Sequence, residues 1–165
     1  MAGEWIVRLA DEERKRDEVR FRVTEAAARK ARLVAENGQR LVDELQTAVI
    51  CDIAAFRAQF PGDAARDIAF EAADSASGFV VKKPEYPTVV LKVVPHLPAA
   101  SVSCEYRFTP SSGLPAREDR VEFMFTSEAL DGTLQIKHLS TGQVFTSAEA
   151  LSEFLLVPVF TGRPR

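Results

Sequence analysis

The chain has 165 residues, of which 46% are hydrophobic and 27% charged, with a formal net charge of -3. That is enough apolar material for one globular domain with a real core, and it excludes wholesale disorder. A pI near 5.5 gives no global attraction to nucleic acid. No apolar run approaches the roughly 20 residues of a membrane-spanning helix, and charge arrives early, at Glu4 and Arg8. Neither a membrane span nor a secretory leader is therefore expected, and the expected compartment is the cytoplasm.

Residues 5–60 contain no proline and one glycine, Gly38. Acids precede bases by four positions in Asp11/Lys15, Glu12/Arg16, Glu18/Arg22, Glu25/Arg29 and Glu36/Arg40, the favoured order for neighbours on a helix. Residues 11–22 offer few apolar contacts, so this stretch is expected to stand in solvent. Further on, Val42, Leu45, Val49, Ile53, Phe56 and Phe60 recur at three- and four-residue spacing on one helical face. Asn37-Gly38 admits two readings. Both residues suit a left-handed helix terminus, giving a helical hairpin. Alternatively the helix runs through, at about 1 kcal/mol for an interior glycine. Continuity is the favoured reading, and at about 1.5 Å per residue it makes an element roughly 80 Å long. No domain of this size covers such a length, so continuity implies self-association.

Pro61-Gly62 ends the arm. Asp63 is placed to cap a short helix carrying Ala65, Ile68, Ala69 and Ala72 on one face, although Ile68, Phe70 and Ala72 also fit a strand. The alanines favour helix over residues 63–74, and residues 75–78 read as a small-residue turn.

Beyond Gly78 the period changes to two. Strands are expected at residues 79–82, 88–94 and 101–108, the last with Val102, Cys104, Tyr106 and Phe108 inward and Ser103, Glu105 and Arg107 outward. Val121, Phe123 and Phe125, then Leu134, Ile136 and His138, continue the pattern across turns at Asp131-Gly132 and Thr141-Gly142. The connections are too short for parallel crossovers, so the strands form an antiparallel meander of about five. Thr146, with Glu149 three residues on, reads as a capping box for a helix over residues 147–156 that Pro158 stops. The expected fold is α+β: a helical arm over residues 1–61, and a sheet domain over residues 62–165 closed by a short C-terminal helix.

Chemistry is sparse. Cys51 and Cys104 form no CxxC or Cys/His cluster, so no metal site, disulfide framework or cofactor is indicated. No phosphate-binding glycine loop, zinc-helix or serine-nucleophile motif occurs. His138 reads as a core or boundary residue, His96 as a solvated turn residue between two prolines, and Tyr106 as core. These three are the weak ligand-binding candidates, no catalytic set emerges, and the reading leans away from an enzyme. In the arm, nine bases between Arg8 and Arg32 are interleaved with six acids, unlike a phosphate-binding face free of carboxylates. The leading expectation is an interaction or assembly protein that forms homo-oligomers through its N-terminal helix. A small-ligand binder or enzyme with a pocket between sheet and helices comes second, and nucleic-acid binding through the arm third.

Overall fold

The computed structural model describes residues 3–73, 78–128 and 131–165. Helix α1, Glu4–Ala58, runs unbroken for 55 residues. Its second half buries Val34, Gly38, Val42, Leu45, Val49 and Ile53; of the stripe expected from the three- and four-residue spacing, Phe56 is only half-buried and Phe60, beyond the end of the helix, is exposed. Asn37-Gly38 does not turn the chain. Gly38 sits on the buried stripe, where an added Cβ would lie 3.1 Å from Leu97 Cδ2 and 3.3 Å from Val34 Cγ1. The missing side chain thus serves close packing of the Leu97–Ala99 3-10 turn against the helix, while the helix formers on both sides carry continuity.

Phe60, Pro61 and Gly62 turn the chain, Gly62 at φ +75°. Asp63 caps as expected, its carboxylate accepting from the Ala65 amide at 2.9 Å. What it caps is only a 3-10 turn, Ala64–Arg66. The helix expected across residues 63–74 is replaced by strand β1, Ala69–Ala72. Phe70 explains the change: on this strand it stacks on Phe79 of the next, with ring centroids 5.4 Å apart. Tertiary packing of an aromatic overrides the helix preference of the alanines. The turn expected at residues 75–78 lies, apart from Gly78, outside the described residues.

The sheet continues with β2, Phe79–Lys83; β3, Thr88–His96; β4, Ser101–Thr109; β5, Arg117–Thr126; β6, Gln135–His138; and β7, Val144–Phe145. All seven strands form one antiparallel sheet in chain order. Among the described residues there are thus seven strands where about five were expected. The additions are the edges: β1, masked by its alanines, and β7, two residues long. Short edges of this kind limit strand addition by other chains.

One face of the sheet is apolar and carries both helices. Phe79, Val81, Val89, Leu91, Cys104, Phe123 and Phe125 lie on it, almost wholly buried. The other face is solvated and pairs opposite charges across strands: Lys92 faces Glu105, Glu105 faces Arg120, and Arg107 faces Glu118.

Helix α2, Ala148–Thr161, closes the core with Leu151, Leu155, Leu156 and Val159. Its cap is Ser147, not Thr146: the Ser147 hydroxyl accepts from the Ala150 amide at 3.1 Å. With the cap one residue later, Ala150 rather than Glu149 takes the third helical position, so the reciprocal carboxylate of a capping box is missing. Nor does Pro158 stop the helix, which passes through it to Thr161. A proline removes the amide that would bond the carbonyl four residues back. Here that carbonyl, Phe154 O, accepts from the Arg165 guanidinium at 2.6 Å, and the same guanidinium lies 3.8 Å from the Phe154 ring centroid. The helix ends at Gly162, φ +68°, where an added Cβ would stand 2.7 Å from Pro87 Cγ.

Candidate functional site

The three residues with chemical potential are not brought together. His96 ends β3, exposed on the solvated side of the sheet. There its field, after that of Arg120, favours the ionised form of Glu122; burial pulls the Glu122 carboxyl upward, but bonds from Ser103 and Arg120 hold it below the usual range. His138 lies on the opposite, apolar face, packed edge-on between Phe123 and Phe154 at centroid distances of 5.4 and 5.7 Å. Its Nδ1 accepts from the amides of Ser140 and Thr141 at 3.1 and 3.2 Å. The imidazole thereby fixes the turn at Thr141-Gly142, and its proton belongs on Nε2.

Tyr106 is buried under α2 and donates to Leu155 O at 2.6 Å. Burial pushes its phenol well above the ordinary range, and does the same to the Cys104 thiol beside it. A thiol in that setting is inert as a nucleophile. Another internal polar contact is Ser152, which donates to Asp52 at 2.6 Å and ties α2 to α1. The cavity between these helices and β6, lined by Leu41, Leu45, Leu134, Ile136, Phe145 and Leu151, holds about 60 Å³. Ligand pockets are several times larger.

Concave surface lies instead around α1. At its C-terminal end an open groove of about 690 Å³ is lined by Arg57, Phe60, Asp63, Arg66 and Asp67. Its charges are already engaged with one another: Arg57 with Asp67, and Arg66 with Asp63 and the Phe60 ring. A second groove of about 500 Å³ lies where the first half of α1 leaves the domain. Ala27, Ala31, Val34, Leu97, Pro98 and Ala100 line it, with Lys30 at its rim. The sequence did not reveal this groove, because its floor joins alanines of α1 to a 3-10 turn more than sixty residues away. The readable signal was the alanine cluster itself.

Upstream of that groove α1 projects alone. Every residue from 11 to 29 is exposed. The ion pairs recorded within this stretch are Asp11–Arg14 at 2.6 Å and Glu13–Arg16 at 2.9 Å. Asp11 thus reaches Arg14 rather than the expected Lys15, and Arg16 takes Glu13 rather than the expected Glu12, a three-residue spacing that also places side chains side by side on a helix. Among the large apolar side chains the arm leaves in solvent are Trp5, Ile6, Leu9, Val19, Phe21 and Val23.

Among the described residues, no group of His, Cys, Asp and Glu could hold a metal ion, and no helix is long and apolar enough to cross a membrane. Comparison with known protein families, characterised proteins and solved structures finds no match, so the geometry of the arm and its groove carries the functional argument.

Proposed function

We propose that this is an interaction or assembly protein that self-associates through the first half of α1. The observation that carries the reading is the exposure of the arm. Trp5 is 61% exposed, Phe21 67% and Val23 64%, on a half of the helix that none of the described residues of its own domain covers. Isolated helices are marginal in water, and most helices owe their stability to packing of an apolar face. Local ion pairs of a few tenths of a kcal/mol each do not remove the drive to cover these side chains. Burying Trp5, Leu9 and Val23 against a partner supplies about 1.5–3 kcal/mol for each fully covered aliphatic side chain.

Interleaved charges also suit a protein partner better than a polyanion. Each carboxylate among the bases of the arm repels phosphate. Light scattering coupled to chromatography tests the reading. The expected result is a dimer or higher species at micromolar concentration, reverting to monomer when residues 1–29 are removed, a cut that leaves the buried stripe from Val34 intact. A full-length monomer at that concentration refutes it.

A further inference from the structure

We infer that two copies pair their arms antiparallel about a two-fold axis at Arg16–Asp17, each seating its Trp5 in the apolar groove at the base of the other's arm. This rests on the self-association proposed above and specifies its geometry. The first observation is charge. Residues 4–18 carry six acids and four bases, whereas residues 19–32 carry one acid and five bases. Antiparallel overlap sets the acidic half of each arm beside the basic half of the other. Parallel overlap in register sets like beside like, which costs affinity.

The charges match in height along the arm, and Glu13 and Arg20 form the pair on the flank of the face that carries Trp5. With Arg16 beside Asp17 of the second copy, Glu13 comes level with Arg20, Asp11 with Arg22, Arg8 with Glu25, and Glu4 with Arg29. Every pair is of opposite sign. One apolar pair is complementary in size: Ile6 comes level with Ala27. A large side chain thus comes level with a small one, which lets two helices approach closely.

The second observation is the groove. The level fixed by these charges carries Trp5 of the second copy to the height of residue 28, at the edge of the groove lined by Ala27, Ala31, Val34, Leu97 and Pro98. Helical side chains tilt toward the N-terminus, and the Trp5 indole does so, lying so far back that a Cβ on Gly3 would be 2.8 Å from it. In the antiparallel pair that tilt points the indole further into the groove. At 100° per residue, Trp5 and Leu9 share an azimuth with Ala27 and Val34, so one face of α1 presents both the projecting ring and the groove that receives it. Such a surface is self-complementary, as a two-fold interface requires. In a parallel pair Trp5 would sit about 39 Å from the groove, 26 residues at 1.5 Å each.

The test uses the full chain with Cys51, which is exposed, changed to Ser, and Cys104, which is buried, left in place. Copies carrying Ile6→Cys are mixed with copies carrying Ala27→Cys under mild oxidation, and the mass of the disulfide-linked species is read. The expected product joins position 6 to position 27. In parallel, emission of Trp5, the only tryptophan, is followed against protein concentration. A blue shift and weaker iodide quenching are expected as dimer forms. Ala31→Glu, on an exposed position of the groove wall, is expected to abolish the shift and weaken dimerisation at least tenfold with unchanged helicity. Links of position 6 to position 6 in a dimeric protein overturn the antiparallel pairing but leave self-association standing. A 6–27 link without a change in Trp5 emission overturns the groove docking. A monomer by light scattering overturns both this inference and the function on which it rests.

Discussion

Replacing Tyr106 with Phe removes one oxygen and one hydrogen bond while keeping the ring that packs parallel to Phe108, 5.7 Å away between centroids. The lost bond is buried and short, 2.6 Å to Leu155 O, so the cost at neutral pH belongs near the upper end of the range for a neutral hydrogen bond, about 1–1.5 kcal/mol. For a domain of this size that lowers Tm by about 2–6 °C. The sharper test is alkaline. Burial raises the folded-state pKa of Tyr106 above its ordinary 10.0, and that of Cys104 above 9.0. Above those ordinary values the unfolded chain releases protons that the folded chain retains. The stability tied to each group is therefore complete below its unfolded pKa and declines as pH rises beyond it, by about 1.4 kcal/mol per pH unit. The parent protein should lose stability from about pH 9, and twice as steeply beyond pH 10. Tyr106→Phe removes one of the two protons. Its stability curve, measured by urea unfolding between pH 7 and 11, should start lower and meet the parent's near pH 11. Two curves that stay parallel to pH 11 would show that the phenol does not stay protonated beneath α2.

Three further substitutions test the ends of α2. Ser147→Ala should cost about 0.5–2 kcal/mol, because the hydroxyl accepts from the Ala150 amide. Thr146→Ala should change stability by less than about 0.5 kcal/mol, as for most exposed sites without a cap; chemical denaturation of the pair decides which residue caps the helix, and a larger loss at Thr146 would move the cap. Gly162→Ala should be more damaging than either, at about 2–4 kcal/mol. It combines a left-handed backbone at φ +68° with a Cβ only 2.7 Å from Pro87 Cγ, and a thermal midpoint equal to the parent's would refute the seating of α2 on that loop.

The parts of the fold legible in the sequence are those where one strong period persists. The stripe from Val42 to Ile53 and the alternation from Val102 to Phe108 identify their elements and buried faces without tertiary information. Legibility fails where the deciding contact is remote. Alanines around Ile68 favour helix locally, but Phe70 finds its place on Phe79 across the sheet. Thr146 and Ser147 offer neighbouring hydroxyls, and only the geometry of entry into α2 selects the second. Pro158 is a reliable stop in isolation. It is tolerated here because Arg165 supplies a donor to the carbonyl that the proline leaves without one. The same limit applies to function: Tyr106, His138 and His96 are visible as residue types, but only the sheet separates the first two from the third by placing them on opposite faces.

Gly38 links the fold to the proposed assembly. A glycine beside an asparagine is the local signature of a helix end, and a chain obeying it would fold the arm back onto the domain as a hairpin. Such a hairpin could cover its own apolar residues and would need no partner. The contact with Leu97 instead gives Gly38 a packing role inside a continuous helix. Continuity projects residues 4–29 away from the core, and the turn that packs on Gly38 also contributes Leu97 and Pro98 to the groove at the base of the arm. One glycine thus stands at the point where the arm is straightened and the receiving surface is built. In the assembly we propose, a helix straightened at the same residue that shapes its groove lets the apolar arm of one copy cover the groove of another.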